Sequence, residues 1–165
     1  MYYEKVFREL QKGKVRYVVA GGVALVLHGV VRFTADLDLI VDLERDNLIR
    51  FIAIMKTLGY QPRNPVKSDE LLVPKSRAQW KREKNMEVFS FVNQAEPMAL
   101  VDVFIEEKFP FQEIMQDMLI VTAKDIAIPV VSLFHLKKLK TAAGRPQDLA
   151  DIEALNDLER AENSR

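Results

Sequence analysis

The chain has 165 residues, 48% apolar and 29% charged, enough for one compact core and too few for two ordinary domains. Its 24 basic and 24 acidic side chains cancel, which excludes the strongly basic footprint of a protein that coats nucleic acid and confines any such contact to a local patch. Cysteine is absent, excluding disulfides and thiolate metal sites; the longest apolar run, Val18 to Leu27, is about half a membrane span, and MYYEKVFREL lacks a signal-peptide pattern, so the expectation is a soluble cytoplasmic protein with no membrane partner.

Tyr3, Val6, Phe7 and Leu10 recur at helical spacing, which predicts an amphipathic helix over residues 2–12 that Gly13 stops. VRYVVA at 15–20 has the β-branched and aromatic make-up of a strand, and Gly21-Gly22 followed by VALVLHG reads as a turn into a short apolar helix. DLDLIVD at 36–42 alternates as a strand, and RDNLIRFIAIMKTLGY is a helix ended by Gly59. From residue 61 to 84 the pattern fails. Prolines at 62, 65 and 74 and the basic cluster KSRAQWKREK predict an irregular or partly helical insertion. MEVFSFV and ALVDVFI read as two strands joined in a hairpin by NQAEP, and two short apolar runs, LIV and IAIPVV, follow FPFQEIMQDM. Ser132 caps a helix that ends at Ala143; Gly144 is its stop and Pro146 opens the last helix, giving a C-terminal helical segment over 132–161. The predicted class is α/β (α+β), one domain over 1–165, with a small mixed β-sheet flanked by helices and a C-terminal helical pair.

The acidic residues in this frame need a reason. On a strand Asp36 and Asp38 share a face while Leu37 and Leu39 take the other, so two carboxylates converge on one spot. Like charges in a partly desolvated place force one carboxyl to keep its proton unless a divalent cation neutralises both. Hard oxygen donors suit Mg²⁺ or Mn²⁺ better than zinc. Asp102, between Val101 and Val103, is central in another strand; paired beside the first, it makes three carboxylates for two cations, the arrangement of phosphoryl or nucleotidyl transfer. Gly21 and Gly22 stand where a helix begins, and without Cβ atoms they let a phosphate approach free N–H groups. Read alone, Gly-Gly is a tight turn and Asp-x-Asp an ordinary pair; thirteen residues separate Gly22 from Asp36, and the conjunction points to a functional site.

AGGVALVLHGVVRFTADLDLIVD resembles the signature of the DNA polymerase β-like nucleotidyltransferase superfamily, with Gly21, Gly22, Asp36, Asp38 and Asp102 in its places. LFHLKKLKTAAGRPQDLADIEAL is similar to the Lys…Ala-Gly-Arg…Asp-x-x-Asp segment of the branch that includes AbiEii-type toxins of bacterial toxin–antitoxin systems. The resemblance spans residues 15 to 156. It implies a nucleotidyltransferase-like fold, a nucleoside triphosphate (NTP) as substrate, Mg²⁺ or Mn²⁺ as cofactor, a tRNA or protein acceptor, and a cognate toxin or antitoxin as partner. The superfamily often has Ser where Gly22 stands, so a hydroxyl contact to phosphate is given up here while the backbone cradle remains.

Lys140 lies on the stripe of Leu133 and Leu136, and an inward lysine needs an anion. The resemblance assigns it to nucleotide phosphate. Arg145 either binds phosphate or pairs with Asp148 or Asp151; for Arg145 and Asp151 the structural role is the expectation, and Asp148 stays open between the two. Arg32 and Thr34 either touch a triphosphate, or Thr34 only starts the strand and Arg32 is solvated. His28 and His135 read as structural, leaving no histidine general base, and Trp80 reads as a core anchor more than as a stacking residue in its basic surroundings. Three functions follow: a metal-dependent nucleotidyltransferase with Asp36, Asp38 and Asp102 catalytic; a nucleotide-binding or antitoxin-like regulatory module on the same fold, binding without turnover; and an interaction protein with fortuitous aspartates.

Overall fold

A computed structural model describes residues 1–165. The buried run Tyr17–Ala20 (β1) is central, with Leu37–Val41 (β2) antiparallel to it, Tyr17 opposite Val41 and Ala20 opposite Asp38. β2 runs parallel to Leu100–Phe104 (β5), and β5 forms a hairpin with Val88–Asn93 (β4). Tyr60–Pro62 (β3) closes that edge against β4. On the other side β1 is parallel to Ile126–Val130 (β7), which pairs with the edge strand Leu119–Ala123 (β6). The result is a single seven-stranded mixed sheet in the order β3-β4-β5-β2-β1-β7-β6.

Alternation along the strands separates two faces. Leu37, Leu39, Val101, Val103, Phe89 and Phe91 are buried together. They lie under the helices Arg45–Thr57 (α3) and Pro74–Lys84 (α4): Phe51 of α3 meets Phe91 edge-on with ring centroids 5.8 Å apart, and Trp80 of α4 packs on Phe89 at 5.4 Å. The first helix, Glu4–Lys12 (α1), adds Val6, Phe7 and Leu10 to the same core. The opposite face of β4, β5 and β2 carries Ser90, Asp102 and Asp38 and is only half-buried. It is bordered by Gly21–Leu27 (α2), which packs on β1 and β2, and by Leu133–Ala143 (α6) and Pro146–Asn163 (α7).

Residues 61–84 are partly helical: after the end of β3 and a run of bends they hold a 3-10 helix over Ser68–Leu72, and α4. Two of the three prolines that interrupt the sequence pattern mark element ends, Pro62 closing β3 and Pro74 opening α4 where a missing N–H costs nothing, and Pro65 lies in the bend between them. Trp80 of this segment is a buried anchor and offers no free face for a base. In addition, β2 begins at Leu37, so Asp36 stands just ahead of the strand; the first paired position with β5 is Leu37 opposite Val101.

The C-terminal helices follow the predicted punctuation. Ser132 accepts a hydrogen bond from the His135 N–H at 3.1 Å, Gly144 ends α6 at φ 64°, and Pro146 starts α7. Residues 111–117 form a further short helix, Phe111–Asp117 (α5). His135, buried, bridges α6 to α5 through Asp117 (3.0 Å) and Glu113 (3.1 Å), while His28 meets the Val131 carbonyl at 2.8 Å.

One tie from α1 bears on the carboxylate face. The buried Tyr3 hydroxyl donates to the carbonyl oxygens of Ala35, immediately before Asp36, and Leu100 (3.1 Å), joining the entry of β2 to the start of β5. Tyr3→Phe removes this bond and leaves two partly buried carbonyls short of a donor, so urea unfolding should show a loss of about 1–2 kcal/mol with an unchanged m-value.

Candidate active site

The site is built by register. Asp38 and Asp102 are direct partners on the parallel strands β2 and β5, about 4.8 Å apart at the backbone, with both side chains on the half-open face. Burial, then the charges of Asp102 and Asp36, push the Asp38 carboxyl up to about 7, against the pull of Lys140 and Arg145. Burial also raises Asp102, opposed by a hydrogen bond from Ser90 and by Arg63, with Asp36 adding to the rise. Asp36 is half-buried at the mouth of β2. As they stand, no group of three or more acidic, histidine or cysteine side chains is arranged to hold a metal ion; the close pair is Asp38 with Asp102.

Ser90 escaped the sequence reading. It faces Asp102 across β4 and β5, and its hydroxyl donates to Asp102 Oδ1 at 2.6 Å. Its signal was there: one polar residue in the apolar strand VFSFV, on the face that leaves Phe89 and Phe91 to the core.

Both glycines are required by close approach. Gly21 opens α2 at φ 61°, and a Cβ there would lie 2.0 Å from Asp38 Oδ2. At Gly22 a Cβ would lie 2.5 Å from the Thr34 hydroxyl oxygen and 2.9 Å from Thr34 Cβ. Thr34 therefore fills the space that a side chain at 22 would take, and brings a hydroxyl to the first turn of α2.

The cations of the C-terminal segment gather around two buried aspartates. Lys140 Nζ donates to Asp151 Oδ2 at 2.7 Å and to Asp148 Oδ1 at 3.3 Å. Arg145 grips Asp148 through Nε at 2.7 Å, and the Asp148 carboxylate caps α7 by accepting from the Arg145 N–H at 3.1 Å. Burial works to raise Asp148, but these bonds and the Lys140 charge outweigh it and hold its carboxyl below the usual range. Arg32 reaches across from the α2–β2 segment to Asp151. Lys140 and Arg145 both act on Asp38, so the network borders the carboxylate pair. Of the sequence-derived candidates, Gly21, Asp36, Asp38 and Asp102 share one locus with Gly22 and Thr34 beside it; Arg32, Lys140, Arg145 and Asp148 form the adjoining charge network.

No protein-family model matches the sequence, and no curated protein matches it. Solved structures do. The lincosamide antibiotic adenylyltransferase LnuA, in its lincomycin-bound crystal structure, aligns with a TM-score of 0.60 at 16% identity over 94% of this chain and 96% of its own. ANT(2")-Ia in complex with adenylyl-2"-tobramycin gives 0.54 at 15% identity, covering 99% and 96%. An antigenic nucleotidyltransferase-like protein from Paracoccidioides brasiliensis gives 0.54 at 15%, covering 95% and 74%. The chain has the nucleotidyltransferase fold. The mixed sheet and its flanking helices correspond to that fold over nearly the whole length, whereas the AbiEii-type branch rests on the sequence resemblance alone.

Two outcomes follow for this nucleotidyltransferase fold. A folded carboxyl near 7 binds its proton more tightly than the unfolded chain, whose carboxyl sits at the usual 3.8, so the stabilising contribution is complete below about pH 4 and is lost as pH rises through 7. At about 1.4 kcal/mol per unit, reduced by water reaching the half-open face, Asp38→Asn should raise stability at pH 8 by about 1–3 kcal/mol and flatten the slope between pH 5 and 8 in denaturant titrations. Gly22→Ser should cost about 1–3 kcal/mol through overlap with Thr34, and Gly22→Ser/Thr34→Ala should recover part of it, read by thermal melting.

Proposed function

We propose that the protein is a nucleotidyltransferase that moves NMP from an NTP to a hydroxyl acceptor. The observation that carries this reading is the Asp38–Asp102 pair, held side by side on the half-open face with Gly21 pressed against Asp38. Raised carboxyls of this kind call for a positive partner, and their hard oxygens fit Mg²⁺ or Mn²⁺, which Asp36, Asp38 and Asp102 would hold. Such an ion, when bound, neutralises phosphate charge and supports departure of pyrophosphate.

The chain's own groups account for the remaining requirements. The N–H groups of Gly21 and Gly22 and the Thr34 hydroxyl face the triphosphate; Lys140, with Arg32, Arg145 and Asp148 around it, supplies the balancing positive charge on the same side. The acceptor oxygen attacks the α-phosphorus in line, the bond from that phosphorus to the bridging oxygen breaks, and pyrophosphate leaves. Asp102 takes the hydroxyl proton. Ser90 fixes the orientation of its other oxygen.

For the acceptor, the sequence resemblance favours an RNA (tRNA) 3′ end or a protein hydroxyl, within a toxin–antitoxin system. The adenylyltransferases among the structural neighbours add a small hydroxylated molecule such as an antibiotic. One observation favours a second reading: no three acidic groups are yet arranged as a ligand set. A nucleotide-binding or antitoxin-like module, binding NTP without turnover, has no need of one.

Incubation with each α-³²P-labelled NTP, Mg²⁺ and, in separate reactions, bulk tRNA, lysate proteins or aminoglycoside and lincosamide antibiotics tests the proposal. Label should pass to one acceptor class, and Asp38→Asn and Asp102→Asn should each cut transfer by about 10²–10⁴-fold. Nucleotide binding by calorimetry with no transfer to any acceptor would establish the binding module instead.

A further inference from the structure

Between Val31 and Asp36 the chain has no helix or strand and makes no backbone–backbone hydrogen bond. Val31 is fully exposed and Phe33 is 90% exposed, so alternate residues of this segment point to solvent. Its inward side chains and carbonyls hold it in place. Thr34 lies against Gly22, the Ala35 carbonyl takes the Tyr3 hydroxyl, and Arg32 donates to Asp151, a residue 119 positions away on α7. Asp36 is the last residue of the segment, so its placement depends on these ties.

The Arg32 tie is the one built from charge. Asp151 Oδ2 accepts from both Arg32 Nη1 and Lys140 Nζ, and side-chain exposure is 9% for Asp151, 8% for Lys140 and 20% for Arg32. Three cations, Arg32, Lys140 and Arg145, share the two carboxylates of Asp148 and Asp151. The Arg32 Nε is buried without a partner. A buried ion pair contributes little net stability over an apolar filling of the same volume, but it fixes one arrangement, because each charge is costly wherever its partner is missing. Here it fixes a segment that has no ladder of its own.

We propose that Asp151 is a positioning residue for the nucleotide site: it anchors Arg32, and with it the segment bearing Thr34 and Asp36, to the same carboxylate that holds Lys140. A residue of the last helix thus sets the geometry of the first carboxylate motif. Its consequence for catalysis rests on the nucleotidyltransferase reading; the anchoring itself does not.

Trypsin reads the anchor directly, because cleavage after Arg32 requires its guanidinium to leave Asp151 and enter the protease. In the full-length protein under native conditions, Asp151→Asn should speed the cut between Arg32 and Phe33 on the order of 10-fold or more, while cuts in the exposed C-terminal turn at Arg160 keep their rate. Arg32→Lys keeps the charge and the cleavage site but loses the guanidinium fork, and should give the same selective increase. In steady-state transfer, Asp151→Asn should lower kcat by about 10-fold or more, and Asp151→Glu should restore part of it. Unchanged cleavage at Arg32, or an equal increase at every site, would overturn the anchor. Selective cleavage with kcat unaltered would overturn the positioning role. If the wild-type protein transfers no nucleotide, the nucleotidyltransferase reading fails on its own, and NTP binding by calorimetry takes the place of kcat: affinity unchanged by Asp151→Asn then overturns positioning.

Discussion

Everything at the candidate site follows from one register, Asp38 of β2 directly beside Asp102 of β5. Two carboxylates side by side in a partly desolvated place work against folding: burial first, and then neighbouring negative charge, raise both the Asp38 and the Asp102 carboxyl. The apolar alternation on the other face holds the pair there regardless. Leu37 and Leu39 with Val101 and Val103 are fully buried, and a slip of β2 by one residue would turn Leu37 and Leu39 outward and Asp38 inward. Hydrophobic burial on one face therefore sets the position of charge on the other.

The neighbours of the pair are constrained by that placement in turn. Gly21 has no room for a Cβ because Asp38 Oδ2 occupies it, and Gly22 none because Thr34 does. Ser90 satisfies one oxygen of Asp102 from the adjoining strand. Around this locus the chain closes from both ends: Tyr3 of the first helix binds the carbonyl before Asp36, and Asp151 of the last helix holds Arg32. The segment from 31 to 36, which lacks regular structure, is thus fixed from outside itself.

The fold and the chemistry have different foundations. Likeness to solved nucleotidyltransferases extends over nearly all of the chain at 14–16% identity, which identifies the architecture. The proposed activity rests on the carboxylates, the glycines and the charge network of this chain. A fold hosts many functions, so the shared architecture leaves the chemistry to the residues of the site.

Local order was legible in the sequence because it depends on residues near one another. The Ser132 cap, the left-handed stop at Gly144 and the proline start at 146 are contacts within a few positions, and the strands of Asp38 and Asp102 show in their own alternation. Residues 61–84 were legible only as irregular or partly helical, because prolines that end one element and begin the next look, in sequence, like proline in no element. The resemblance to a nucleotidyltransferase signature also lay in the sequence, as did the choice of Asp36, Asp38 and Asp102. Pairing across distance was not legible. Nothing in the order of residues says that β2 lies beside β5, that Thr34 takes the place of a side chain at 22, that Ser90 serves Asp102, or that Arg32 meets Asp151. These are decided by which strands share an edge and which helices cross over them, and only the tertiary structure, through the packing of the common core, sets those neighbours.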